Sequence, residues 1–321
     1  MSDSEHPALH AWNRLNGSND RCASVTPLKE KRSRAVYRLE GVGPSDRAVV
    51  AKRATPDKMR VERSIYENIL PHLGIRSAGY WGYWEDPGDG AGWIFLERLI
   101  GHGYDNSLPS HRIEAGRWLA LLHSRGLAVA NAESLPDRSP GHYLTKLRSG
   151  LERIEVSLSN PAIDPEDVDC LREILRRLGE VEESWSDVEA ACGAMPWTVV
   201  HGDFASKNML MEASGEIPSL VPFDWGSAGW GPAGVDLAQA SGVQDRYWTT
   251  PDLSAYASAA PGALSPSTLR RAAAAGKIFR TLSVISGDSQ TLSGPWPAKA
   301  MGKLRVYLQH LVDGIDSAGI T

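Results

Sequence analysis

The chain has 321 residues, 42% hydrophobic and 23% charged, with a formal net charge of −5. That balance excludes a disordered or fibrous chain, and without a basic stripe there is no electrostatic footprint for nucleic acid, whose phosphates need neutralising. Three widely spaced cysteines, Cys22, Cys170 and Cys192, form neither a disulfide framework nor a CxxC metal site, and no run approaches the roughly 18 apolar residues of a membrane span, so a cytoplasmic protein that contacts no membrane is expected.

A single hydrophobic core stops growing at roughly 250–300 residues, so two lobes are expected. Arg34–Leu39 and Arg47–Lys52 read as short strands, and the Gly, Pro and Asp between them mark a hairpin turn. Gly41-Val-Gly43 belongs to that turn. It lacks the third glycine and the following helix of a phosphate-binding loop. Pro56–Leu70 has helical spacing at Val61, Ile65, Ile69 and Leu70, and Gly79–Trp84 and Gly92–Glu97 read as two further strands. Beyond Gly103 the period is helical, over His111–His123, Asp164–Val188, Pro266–Ile285 and Pro297–Ile315. Asp164, Pro165, Glu166 and Asp167 make a clear helix start, and Val168, Leu171, Ile174, Leu178, Val181 and Trp185 form its apolar stripe. The acids Glu180, Glu182, Glu183, Asp187 and Glu189 read as a solvated face.

Chemistry concentrates in VVHGDFASKNMLM, residues 199–211, which sets His201, Asp203, Lys207 and Asn208 between two apolar tripeptides. Half-buried polar groups are costly unless paired or active. LVPFDW, residues 220–225, then ends a second apolar strand at Asp224. A hairpin of these two strands brings Asn208 and Asp224 to one end, with Asp203 in the loop before it. Oxygen donors of this kind suit Mg²⁺, and phosphoryl transfer to a hydroxyl needs one further carboxylate as base.

HGDxxxxN, here His201, Gly202, Asp203 and Asn208, followed by the Asp of FDW, resembles the catalytic core of aminoglycoside phosphotransferases and the related choline-kinase-like small-molecule kinases. RWLALLHS (Arg117–Ser124), GPAGVDLAQ (Gly231–Gln239), VVAKR with Lys52 and VERSIYENIL with Glu62 extend the resemblance to roughly residues 30–240. It implies an α+β, bilobal protein-kinase-like fold. A small β-rich N-terminal nucleotide-binding lobe would span residues 1–100. A larger, mainly helical C-terminal lobe, 101–321, would carry the catalytic loop, metal site and acceptor site. By the same resemblance Asp203 is the catalytic base, and Asn208 and Asp224 hold Mg²⁺. Lys52 pairs with Glu62 and with the phosphates of ATP, GTP being left open as co-substrate. Glu97 and Leu99 offer a backbone carbonyl and amide to adenine, while His201 and Asp236 brace the catalytic loop. Trp225 stands where protein kinases have Phe. The chain departs from the pattern at the turn between the first two strands, near Lys29–Arg34, which has no glycine, so phosphate contacts there fall to backbone N–H groups or Ser33.

The implied acceptor is a small-molecule hydroxyl, on an aminoglycoside or another hydroxylated antibiotic first, with choline, a sugar or a nucleoside as the alternative. The implied assembly is a monomer or homodimer. Two rival classes stay open. One is a phosphohydrolase with a metal cluster drawn from His201, Asp203, Asp224 and Asp236; the other is an inactive kinase-like binding module. No GxxxxGK[ST] is present, which argues against a P-loop kinase. The resemblance leaves loose which helix glutamate pairs with Lys52, and helical geometry chooses between Glu62 and Glu67. Ile65, Tyr66, Ile69 and Leu70 centre on the direction of Glu62, while Glu67 falls on the side of Arg63 and Asn68. A carboxylate inside an apolar stripe needs a cation, and Lys52 is the nearest candidate.

Overall fold

The computed structural model describes residues 6–18, 24–31, 34–88, 90–129, 132–212, 219–240, 248–260, 262 and 264–319. In chain order these form α1 (Pro7–Asn16), β1 (Val25–Lys31), β2 (Arg34–Leu39), β3 (Val49–Ala54), α2 (Pro56–Ser64), α3 (Leu70–Leu73), β4 (Tyr80–Glu85), β5 (Gly92–Glu97) and β6 (His102–Gly103). There follow α4 (Pro109–Gly126), α5 (Pro140–Ser157), α6 (Pro165–Glu183), α7 (Trp185–Gly193), β7 (Trp197–Val200), β8 (Met209–Glu212) and β9 (Ser219–Pro222). Last come β10 (Gly229–Pro232), α8 (Leu253–Ala259), α9 (Pro266–Asp288) and α10 (Ala298–Ala318). The chain divides into two compact units, residues 1–104 with 208–228, and residues 105–207 with 229–321. The segment 208–228, which chain order assigns to the C-terminal lobe, therefore groups with the N-terminal unit. Among the described residues no helix is long and apolar enough to cross a membrane.

In the first unit a five-stranded antiparallel sheet has the order β1-β2-β3-β5-β4. Side chains alternate across it. Val49 and Ala51 of β3, with Trp93 and Phe95 of β5, pack against Ala8, Leu9, Ala11 and Trp12 of α1. The sequence reading did not foresee α1, although its ends are marked: His6 Nδ1 accepts from the Ala8 N–H at 3.1 Å, and Gly17 closes it with φ 62°. Lys52, opposite Val36 and Ile94, belongs to the other face of the sheet. There α2 lies so close that a Cβ on Gly92 would collide with Met59. The helix expected over Pro56–Leu70 widens over Ile65–Ile69, where the Leu70 N–H bonds five residues back to the Ile65 carbonyl. Pro71 follows with no N–H to continue the regular ladder. The strand expected from Arg47 begins at Val49, because the turn over Pro44–Asp46 is closed by Gly43 N–H on the Arg47 carbonyl at 2.9 Å. Lys29–Lys31 and Arg34, expected in a turn, are the ends of β1 and β2. Ser33 lies outside the described residues.

In the second unit, helices enclose a core to which α6 contributes Leu171, Ile174, Leu178 and Val181. The single helix expected over Asp164–Val188 is two, α6 and α7, broken at Ser184, whose backbone leaves the helical region at φ −97°, ψ 22°. Trp185 still reaches the same core. Asp164 occupies the N-cap position, but its side chain makes no capping hydrogen bond. Helix α5 was not foreseen either. Ser139 caps it, accepting from the His142 N–H at 3.2 Å, and Pro140 opens it. Helix α9 approaches the 233–237 turn so closely that a Cβ on Gly276 would collide with the Gly234 carbonyl.

Candidate active site

In the first unit, β3, α2 and the end of β9 bring three charged side chains together. Lys52 Nζ lies 2.5 Å from Glu62 Oε2 and 2.6 Å from Asp224 Oδ1. Glu62 is fully buried. Burial pushes its carboxyl above the usual carboxylate range, and the Lys52 ammonium opposes that only in part. Burial likewise works against the charge on Lys52, yet the two carboxylates outweigh it and hold the ammonium above its ordinary range. Glu67, the rival partner, turns instead to Arg63 at 2.8 Å and to the Tyr80 hydroxyl at 2.7 Å.

Asp224 has a left-handed backbone, φ 68° and ψ 60°, rare outside glycine and more tolerable for aspartate than for most residues. Such outliers persist where surrounding structure enforces them, often at functional sites. Here β8 and β9 pair antiparallel from Met209↔Pro222, and the Phe223 N–H donates to the Asn208 carbonyl at 2.9 Å. Asn208 and Asp224 therefore stand at the same end of this strand pair. The donor set, an amide oxygen and a carboxylate, is of the hard oxygen type that fits Mg²⁺.

At the end of β5, Glu97 is held by backbone and side chain alike. Its N–H donates to the Gly79 carbonyl at 2.7 Å, and its Oε2 accepts from the Gly79 N–H at 3.0 Å. Arg76 spans from Glu97 to Glu212, at 3.1 and 2.7 Å. Leu99 follows in a half-buried stretch without regular structure.

In the second unit the loop after β7 is braced from behind. Asp236 takes the His201 N–H on Oδ2 at 2.6 Å and the Gly202 N–H on Oδ1 at 2.9 Å. His123 Nε2 lies 3.4 Å from the same carboxylate, and its Nδ1 meets the Tyr256 hydroxyl at 3.1 Å. Burial would push Asp236 up, but His123, His201 and the backbone donors hold it below the usual carboxylate range. Gly202 makes the turn with φ 72°. His201 is buried, and its Nδ1 accepts from the Asp203 N–H at 3.3 Å. Asp203 then points to two cations, Arg280 at 2.8 Å on Oδ1 and Lys207 at 3.0 Å on Oδ2. Burial raises the Asp203 carboxyl, and Arg280 and Lys207 more than reverse it, holding it below the usual carboxylate range.

The structure thus brings Lys52, Glu62, Asp224 and Asn208 into one group and His201, Asp203 and Asp236 into another, while Glu97 belongs to a third. Arg280 stands outside every sequence motif, Lys207 carries no role in the HGDxxxxN pattern, and His123 stands in RWLALLHS without an assigned one. A model of the phosphotransferase enzyme family matches residues 24–275. The chain belongs to that family. Among curated proteins none matches it. Solved structures similar to this phosphotransferase-family chain include an aminoglycoside 2′-phosphotransferase of type IIIa in a GDP complex. It is 13% identical, with a TM-score of 0.66 over 96% of this chain and 98% of that one. Spectinomycin phosphotransferase in complex with ADP and spectinomycin is 9% identical, TM-score 0.63, over 91% and 93%. Choline kinase from Cryptosporidium parvum is 13% identical, TM-score 0.61, over 92% and 91%. At such identities the likeness establishes the fold, which is kinase-like: α+β, with a β-sheet N-terminal region and a helical C-terminal region.

Proposed function

We propose that this phosphotransferase-family chain moves the γ-phosphate of ATP, with Mg²⁺, to a hydroxyl of a small molecule, an aminoglycoside or another hydroxylated antibiotic in the first instance. The observation that carries the reading is the Lys52 ammonium held between a buried Glu62 and Asp224, a fixed cation suited to nucleotide phosphates. An inactive binding module has no need of it. A phosphohydrolase cluster built on His201 and Asp236 is disfavoured, since both Asp236 oxygens are committed to backbone N–H groups.

In this reading Lys52 binds the α- and β-phosphates, and Glu62 keeps its ammonium aimed. The carbonyl of Glu97 and the amide of Leu99 receive adenine, with Arg76 and Gly79 fixing the Glu97 end. Asn208 and Asp224 would hold Mg²⁺, which when bound neutralises charge on the phosphate oxygens. Asp203 accepts the acceptor's hydroxyl proton as that oxygen bonds to phosphorus and the bond to the ADP oxygen breaks. His201 and Asp236 keep the loop in shape. The solved structures of the same fold include a spectinomycin phosphotransferase and a choline kinase, so both acceptor classes belong in the test.

The test is ADP release from Mg·ATP against a panel of aminoglycosides, nucleoside antibiotics, choline and sugars. Acceptor-dependent release is expected. Asp203→Asn should then lower kcat by roughly 10²–10⁴ while nucleotide still binds, and Asp224→Ala should remove Mg²⁺-dependent binding of ATP in calorimetry. Acceptor-independent release of phosphate would favour the hydrolase, and an Asp203→Asn variant with more than half the wild-type kcat would exclude Asp203 as base.

A further inference from the structure

Arg280 lies on α9 between Phe279 and Thr281, both fully buried, and its own side chain is 9% exposed. A guanidinium at that depth is costly unless its donors are met. Its NH1 donates to the Phe204 carbonyl at 2.7 Å and its NH2 to Asp203 Oδ1 at 2.8 Å, while its Cζ lies over the Trp248 ring, 4.8 Å from the centroid. Trp248 is itself buried and tied to the same loop. Its carbonyl accepts the Ser206 hydroxyl at 2.8 Å, and the neighbouring Thr249 hydroxyl donates to the Phe204 carbonyl at 2.9 Å. Residues 203, 204 and 206 are thus gripped by one arginine and the segment it stacks on.

The two oxygens of Asp203 are treated unequally. Oδ1 meets a rigid, planar, two-point donor that is almost fully buried. Oδ2 meets Lys207, whose side chain is 53% exposed and four residues away on the same loop. Exposed pairs of this kind contribute little and exchange readily with other partners.

We propose that Arg280 is the positioning residue of the catalytic carboxylate, pinning Oδ1 so that Oδ2 is the oxygen that takes the acceptor's proton. The O–H bond of the acceptor breaks, the Oδ2–H bond forms, and Lys207 yields its place. The other titratable groups around the loop are already engaged. His201 faces the Asp203 N–H, Asp236 and His123 brace the loop from behind, and the His310 ring of α10 lies 4.9 Å from Trp248. The Arg280 charge is the strongest single effect that keeps Asp203 ionised against burial, and Lys207 adds both charge and a hydrogen bond.

The proposal rests on Asp203 being the base, so its first readout needs no substrate. In protein labelled with ¹³C at aspartate Cγ, the Asp203 resonance is identified by its loss in Asp203→Asn and titrated in wild type, Arg280→Met, Arg280→Lys and Lys207→Met. Arg280→Met should raise the Asp203 pKa by about one unit or more, Lys207→Met by clearly less, and Arg280→Lys should keep most of the wild-type value. With the acceptor that scores in the ADP-release panel, Arg280→Met should lower kcat roughly 10- to 100-fold at little change in KM for ATP. The acid limb of its pH profile should move with the titration. Arg280→Lys, with charge but no second donor to Phe204, should recover the pH profile more fully than kcat. If Arg280→Met leaves the pKa in place, or Lys207→Met moves it further, the proposal is overturned. Should Arg280→Met fail to melt cooperatively, Arg280→Gln, which keeps a donor for Phe204, makes the same comparison. A panel with no acceptor would count against phosphotransfer, and the titration would still decide Arg280.

Discussion

A carboxylate as buried as Glu62 is held in place by its cation, and removing half of such a pair costs more than the pair is worth. Glu62→Gln should raise KM for ATP and lower kcat together. Glu67→Gln should change neither by more than about twofold, since its Arg63 partner is 46% exposed and such pairs are worth little. The reverse order would reassign the Lys52 partner. Asp236 makes a pH prediction. Its folded-state pKa and that of Asp203 are depressed, so the stability they contribute is complete above the unfolded value near 3.9 and is lost as pH falls through the folded ones. Thermal melts from pH 7 to pH 3 should therefore show a falling Tm below about pH 4, and Asp236→Asn should lower the plateau and flatten that fall. An unchanged acid slope would mean the loop is braced by something else. These residues were legible because each sits in a dense local pattern: Lys52 in a strand, Glu62 at the centre of an apolar stripe, His201 and Asp203 in one short loop. Arg280 was not, being 77 residues from the aspartate it holds. Its only sequence trace is a charge in a helix, AAAAGKIFRTLSVI, that is otherwise buried nearly all round.

Elements were legible where period and punctuation agreed. Strand β5 matches its expected bounds, and α9 and α10 lie within a few residues of theirs. The break between α6 and α7 was hidden because Trp185 continues the apolar period across it, so packing preserves a stripe that the backbone interrupts. The short helix α1 has both caps in its sequence, but its apolar residues matter only against a sheet formed by later residues. Close approach between elements is equally non-local, and α9 tests it within one helix. Gly276 abuts the Gly234 carbonyl, whereas a Cβ on Gly287 would meet nothing within 4 Å. Gly276→Ala should therefore destabilise by roughly 1–3 kcal/mol, the cost of overpacking. Gly287→Ala should be neutral or stabilise by up to about 1 kcal/mol through helix propensity. Equal melting shifts for the two would show that α9 can slide away from the 233–237 turn.

At the level of the whole molecule, the N-terminal unit is discontinuous. It is completed by residues 208–228, which supply Asp224 to Lys52, Glu212 to Arg76, and β8 as the partner of β6. Unlike the linear order of two lobes, this assignment cannot be read from motif positions, because Asp203 and Asn208 stand five residues apart yet belong to different units. A fragment ending at Tyr104 would lack all three contacts, and its amide spectrum should show a poorly protected sheet. A dispersed, cooperatively melting spectrum from that fragment would refute the dependence. The discontinuity also imposes a schedule on the growing chain. The residues up to Tyr104 wait, with a strand edge open, until more than a hundred further residues have been made. Segments exposed in that interval are those from which misassembly starts.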